Sequence, residues 1–446
     1  VEELVRGPME SAGPAAGRMT VVRAKPAGAA PGFVVRDSAG VTWFVQFNTP
    51  KNPEAATAAA MIANKLFWAL GYWQTENHLA TRRMDEFDID PKARVETPSG
   101  RDRPLHMDDL KTILGAANRE RDASYRMLAS RAIAGRVLGG FKYFGTRPDD
   151  ANDVIPHEHR RVLRALQVFG AWTNLTDSKA GNTLDTLLTE NGKSYVRHYL
   201  QDVGSTFGTG ALEAHDYDEG FEYVIEGSPA WKRLLTFGFF PRPWQSVPFE
   251  EYPAVGRYQG VEFDPDLWKP RIPNTAMQNA RADDKFWAAR RVMAFTDEMI
   301  RAVVKVGQIS DPAAEQHLAD VIILRRDKIG QQYYAAVNPL VDFRLADGRL
   351  TFVNEGLRSG LVAGPAPTYD AAWSRFDNAT STATPLAWTS GSGEGLPAPP
   401  GLPADGYVKA DVKAARHANE AWTRPVSVYF RRDGGAWTLV GVERLP

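Results

Sequence analysis

Apolar residues alternate with polar ones in short runs towards both ends of this chain and recur at helical spacing through much of its middle. Runs 33–36 and 41–47 flank the polar turn Asp37-Ser38-Ala39-Gly40 and read as a β-hairpin. Asn52 and Pro53 suit a helix start, Ile62, Leu66 and Leu70 then fall at helical spacing, and Gly71 supplies a stop. Residues 74–104 are mixed, and 107–135 predict a helix with Asp108 and Asp109 at its start. After a connection rich in Gly, Pro and Asp over 139–156, residues 157–173 predict a strong helix with Val162, Leu166 and Phe169 along one side. Runs 183–188 and 194–200 flank Asn191-Gly192, the sequence of a tight hairpin turn.

The stretch 219–282 is dense in Pro, Trp and Phe with little periodicity, and reads as a packed segment that wraps a core. Helices are predicted over 283–306 and from 312 onward, the second carrying Leu318, Ile322 and Ile329. From about 340 the pattern is strand-like, with 407–414 one strand and 426–442 a final hairpin, while 389–406 reads as a mobile loop. The pattern divides the chain into an extended N-terminal arm (1–20), a small β-rich part with one long helix (21–104), a mostly helical part (105–337) and a C-terminal β-sandwich-like module (338–446).

Composition narrows the chemistry. At 446 residues, with 43% apolar and 24% charged residues, the chain is a globular protein of two or three domains at roughly 150 residues each. Lys and Arg total 53 against 54 Asp and Glu, a balance that gives no general affinity for nucleic acid or acidic lipid. The absence of cysteine excludes disulfides, thiolate zinc sites, iron–sulfur clusters and a cysteine nucleophile. No apolar run approaches the length of a membrane-spanning helix. A first residue of Val rather than Met favours an exported chain, periplasmic or extracellular, with a cytoplasmic one left open.

The informative stretch runs from the end of the 157–173 helix. Asp177 is followed, after four intervening residues, by Asn182; the hairpin then returns the chain to Asp202-Val203-Gly204. Phosphoryl transfer from ATP uses this set: one Asp orients the attacking hydroxyl, an Asn helps hold a metal, and a second Asp bridges metal and phosphates. Lys179 stands two residues after Asp177 and is a candidate cation for the moving phosphoryl group. The bland readings are an Asp capping a turn and an exposed loop lysine, and the Asp–Asn spacing gains weight only with the helix, the hairpin and Asp202 in order.

This order resembles the protein-kinase-like superfamily in the style of its atypical branches, the HipA-like and CotH-like kinases and the secretory-pathway kinases. The hairpin 33–47 and helix 54–70 look like the small lobe of that fold, and the likeness covers roughly residues 21–335. It implies an α+β class, an atypical protein-kinase-like bilobal fold; the C-terminal antiparallel β module, read from the strand pattern, lies outside the likeness. It also implies ATP with Mg2+ or Mn2+ as cofactor, Asp177 and Lys179 in catalysis, and Asn182 and Asp202 on the metal. The partners implied are the nucleotide and an unknown protein or small-molecule acceptor, with no nucleic acid and no membrane span.

One departure is sharp: the strand position that carries a phosphate-binding lysine in such kinases carries Gln46. Glu54 stands where the helix acid is expected, and Lys51, Lys65 and Arg36 are the cations offered as substitutes. The glycine-rich loop is reduced to Gly28 and Gly32 in a small-residue run. The departure opens an alternative from another class: a catalytically inactive pseudokinase acting as a binding or scaffold protein. Other readings are weaker. His157 and His159 point to different sides of a helix and make a poor metal pair. His198 reads as a core or surface histidine, and no Gly-x-Ser-x-Gly elbow is present. The 12 tryptophans allow a carbohydrate or peptide groove lined by Trp231, Trp244 or Trp268.

Overall fold

The computed structural model describes residues 1–25, 29–97, 100–225 and 242–444. They separate into two compact units, one formed by 1–279 with 295–325, the other by 280–294 with 326–446.

The first unit is built on a sheet of seven strands among the described residues. The chain opens with helix α1 (Glu2–Arg6), then β1 (Met19–Ala24), β2 (Gly32–Arg36) and β3 (Thr42–Phe47). Helix α2 (Ala55–Ala69) follows, then β4 (Asn77–Arg83), β5 (Phe87–Glu96), β6 (Asp102–Pro104), helix α3 (Met107–Gly115) and β7 (Ser124–Arg131). In space the order is β4-β7-β3-β2-β1-β5-β6, with β1 parallel to β5. Alternation along β3 sends Trp43, Val45 and Phe47 into a core shared with Phe33, Phe87, Leu110 and Leu114, while Phe44 and Gln46 face the other way. Gly32, opposite Gln46, sits where a Cβ would lie 2.3 Å from the Val45 carbonyl oxygen, so only glycine fits that pairing.

Helix α2 is apolar almost all round and is correspondingly buried, from Ala55 to Phe67. Its one buried cation, Lys65, donates to the Arg6 carbonyl at 3.0 Å and so ties down α1, where Leu4 is buried. Residues 2–6, expected in an extended arm, are helical for that reason. Burial holds the Lys65 ammonium at a pKa of about 8, below its ordinary 10.5, despite the pull of Glu76. The folded state therefore binds this proton more weakly than the unfolded chain. Stability is penalised below about pH 8 and is recovered as pH rises from there towards 10.5. We expect the urea midpoint of the first unit to rise across that window, and Lys65→Met to flatten the rise; an identical slope in the variant would refute the assignment.

Residues 107–135 do not form one helix. Met107–Gly115 is helical, but Ser124–Arg131 is strand β7, paired on one side with β3 and on the other with β4. A strand hydrogen-bonded on both edges outweighs local helix propensity. Beyond it, β8 (Arg136–Gly139) joins the hairpin β9 (Leu184–Glu190) and β10 (Lys193–Tyr199), whose turn places Asn191 and Gly192 at φ of 52° and 74°. The helix read over 157–173 is broken into a 3-10 turn, α4 (Arg161–Arg164) and α5 (Leu166–Thr173). The helix read over 283–306 is two, Ala282–Met293 and Asp297–Lys305, because the Thr296 hydroxyl accepts from the Met299 amide and starts a new one.

The second unit is all-antiparallel in its sheets, as expected of the C-terminal module. Strands β11 (Leu340–Ala346), β12 (Arg349–Asn354), β13 (Thr368–Asp377), β14 (Thr382–Ser392) and β15 (Gly395–Pro397) come first. They are followed by β16 (Gly406–Ala414), β17 (Val426–Arg432) and β18 (Trp437–Arg444). They form sheets β11-β12-β15 and β14-β13-β16-β17-β18, which bury a common core including Phe343, Phe352, Trp373, Val412, Trp422 and Phe430. Segment 389–406, expected as a loop, holds the end of β14 and the short β15. The chain is thus α+β with a large sheet and a separate antiparallel module. Among the described residues no helix is long and apolar enough to cross a membrane.

Candidate active site

Helix α5 ends at Asn174, whose left-handed backbone (φ 55°, ψ 43°) turns the chain into the 175–182 loop. The Asn174 side-chain oxygen accepts from the Trp268 indole at 2.8 Å, which pins the turn from outside. The loop is then held by main-chain bonds to the stretch that follows β10. The Asp202 amide donates to the Asn182 carbonyl at 3.0 Å, Thr176 to Ser205 at 3.3 Å, and Phe207 to Thr173 at 2.7 Å. A hairpin with matched arms, β9 against β10, is what brings the two segments back to one end. On the other flank the Thr183 hydroxyl bridges Ala180 and Phe141, while a Cβ on Gly140 would lie 2.1 Å from the Ala180 carbonyl oxygen.

The result is one cavity of about 470 Å3, lined among others by Lys25, Gln46, Asp177, Lys179, Asn182 and Asp202. Its walls come from the seven-stranded sheet and the start of α2 on one side and from the 177–216 region on the other. The Asn182 amide nitrogen donates to the Asp177 main-chain carbonyl at 2.7 Å, so its side-chain oxygen is the end left for a cation. Asp202 receives the Gly204 amide on one carboxylate oxygen at 3.0 Å, which fixes the carboxylate and leaves its second oxygen. Lys179 is ion-paired with Asp177 at 2.8 Å. Two oxygen donors beside open space suit Mg2+ or Mn2+, hard cations that keep waters and complete their shell with substrate phosphates. Among the described residues no three His, Asp or Glu side chains form a ready-made metal cage.

Behind the loop lies a buried polar brace. The Ser205 hydroxyl and His215 Nε2 share a hydrogen bond at 2.8 Å, and His215 Nδ1 lies 3.6 Å from Glu219, which accepts from the Thr176 hydroxyl at 2.8 Å and pairs with Arg271 at 3.1 Å. Burial, with the Arg271 charge, pushes the His215 pKa down to about 3 against the pull of Asp177, so the imidazole is neutral at working pH. Burial also raises the Glu219 carboxyl.

Of the residues singled out from sequence, Gln46, Asp177, Lys179, Asn182 and Asp202 line the cavity together. Glu54 and Lys51 do not. The Glu54 carboxylate accepts from the Ser310 amide at 2.9 Å and stands 3.9 Å from Arg126, while Lys51 is an exposed partner of Glu213 at the rim. The remaining substitute cations are elsewhere too: Lys65 is buried against α1 and Arg36 is exposed. Missed from sequence were Lys25, His215, Glu219 and Arg271. For Lys25 a signal was present: it is the one cation between Arg23 and Gly32, at the end of a strand and before a small-residue run. The other three fall in or near the low-periodicity stretch.

The other candidates resolve as structural groups. His157 is buried between Asp153, at 2.9 Å, and the Lys142 carbonyl, and His198 pairs with Asp185 at 2.6 Å. Trp268 is 4% exposed and lines a separate cavity, and Trp244 is half-buried with its indole on Glu222 at 3.2 Å; Trp231 and Gly28 lie outside the described residues.

No family model and no curated protein matches this chain. Solved structures do resemble it. A Golgi casein kinase with Mn and ADP bound aligns at 9% identity and TM-score 0.32, over 70% of this chain and 74% of that one. The Helicobacter pylori proinflammatory kinase CtkA aligns at 11% and 0.34, over 69% and 94%. A further structure of the Golgi casein kinase gives 9% and 0.33, over 71% and 75%. Scores this low leave the function of this chain to its own residues.

Proposed function

We propose that this chain is a metal- and ATP-dependent phosphotransferase of atypical kinase-like type, moving the γ-phosphate to a hydroxyl on a protein or small-molecule acceptor. The observation that carries this reading is the meeting of Asp177, Asn182 and Asp202, which span 26 positions of sequence, at one cavity. Asn182 and Asp202 would hold the divalent cation, which supplies charge neutralisation for the phosphates. Asp177 accepts the proton of the acceptor hydroxyl as its oxygen attacks, and Lys179, already in contact with it, stands beside the transferring group. The neutral His215 brace keeps the metal loop and the catalytic loop in register without adding charge.

The test is thermal stabilisation by ATP with Mn2+ or Mg2+. A ligand at 100 times its Kd adds about 2.7 kcal/mol of stability, a shift well within measurement. We expect such a shift in the native chain and its loss in Asp202→Ala. A native chain that shows no shift at millimolar nucleotide would exclude nucleotide binding.

A further inference from the structure

We propose that Lys25 is the phosphate-binding cation of this site, delivered from the end of β1 in place of a lysine on β3. The inference rests on the phosphotransferase reading and deepens it.

The sheet position that faces the cavity on β3 is Gln46, whose amide carries no charge. Three cations line the cavity among the described residues: Lys25, Lys179 and Arg271. Lys179 is engaged by Asp177 and Arg271 by Glu219, both on the side of the catalytic loop. Lys25 alone comes from the sheet side, directly after β1 (Met19–Ala24). It is half-buried and shares the cavity wall with Asp202, the carboxylate placed to hold metal. A half-buried ammonium at this wall is placed to meet a polyanion that enters the cavity.

Two further observations point the same way. The cavity wall holds five carboxylates, Asp177, Asp202, Glu213, Asp216 and Glu219, so a nucleotide carrying several negative charges needs every cation there. Helix α2 contains no Asp or Glu along its whole length, so nothing on it could pair with a β3 lysine. Lys25 reaches the cavity from the end of β1 instead.

The experiment measures ATP–Mn2+ affinity of the full chain by calorimetry for native protein, Lys25→Met, Lys25→Arg, Gln46→Lys and the Lys25→Met/Gln46→Lys double variant. Lys25→Met keeps the aliphatic stem and should weaken binding about 10- to 100-fold, the effect of losing one charged phosphate contact. Lys25→Arg should stay within a few-fold of native. Gln46→Lys alone should bring no gain, since the phosphates already have their cation, whereas in the double variant it should recover most of the loss. Binding by Lys25→Met within about twofold of native, while Asp202→Ala still abolishes it, would overturn the role of Lys25 and leave the phosphotransferase reading standing. Loss in Lys25→Met without recovery in the double variant would overturn the exchange of position. A native chain that binds no nucleotide would remove both.

Discussion

Asp177→Ala should keep the nucleotide-dependent thermal shift and lower phosphoryl transfer by about 10^2- to 10^4-fold, the range removed with a positioned general base. The separation follows from geometry. Asp177 reaches the cavity from the loop that leaves α5, and its carboxylate contacts Lys179. The Asn182 amide is anchored on the main-chain oxygen of residue 177, which the substitution retains, so the metal-side donors stay in place. Nucleotide binding therefore has no need of this carboxylate, whereas proton removal does. Phosphate incorporation, into the chain itself and into added acceptors, is the quantity to follow. Transfer unchanged in Asp177→Ala would assign the base elsewhere. Binding without any transfer, in native protein and variant alike, would support the scaffold alternative, in which Gln46 marks a lost activity.

The legible part of the site was the part fixed by local chain geometry. Asp177 and Asn182 share one loop, and a hairpin of matched arms with an Asn-Gly turn has to return Asp202 to their end, so spacing alone carried the juxtaposition. Gln46 was singled out by the resemblance, at the strand position where such kinases carry lysine, and the alternation along β3 turns it away from the core. Lys25 showed in the sequence only as a lone cation at a strand end, because its place in the cavity depends also on β1 pairing in parallel with the distant β5. Glu54 was placed by the resemblance at the helix start, where an acid stands in such kinases; its backbone at φ 70° precedes the first turn and its carboxylate receives the Ser310 amide.

The same division holds for the fold. The 33–47 hairpin and the terminal strands carry a clear alternation, α2 is a long run closed by Gly71, and these elements appear where the pattern put them. Ser124–Arg131 carries apolar residues on both sides, Met127 and Ala129 towards the sheet core and Leu128 towards α2. A strand covered on both faces loses the period of two that would distinguish it from a helix. His215 and Glu219 lie in or near the stretch of low periodicity and are held by polar contacts such as Thr176 to Glu219, which no hydrophobic pattern records.

Trp172→Ala should be among the most destabilising single changes in the first unit and should also disable the site. The indole is 0% exposed, packs 5.1 Å from the Phe295 ring, and donates to the Ile322 carbonyl at 3.0 Å. Its own carbonyl accepts the Tyr258 hydroxyl, another fully buried ring. Truncating a core tryptophan costs about 3–5 kcal/mol through lost burial and the cavity left behind, against a total stability on the order of 10 kcal/mol. The melting temperature should fall by on the order of 10 °C. Trp172 also lies two residues before the Asn174 turn that starts the loop carrying Asp177, so nucleotide stabilisation should shrink along with the melting temperature. Trp172→Phe keeps most of the ring volume and should cost far less, about 1–2 kcal/mol. A Trp172→Ala protein melting within about 2 °C of native would mean that this core does not support the catalytic loop.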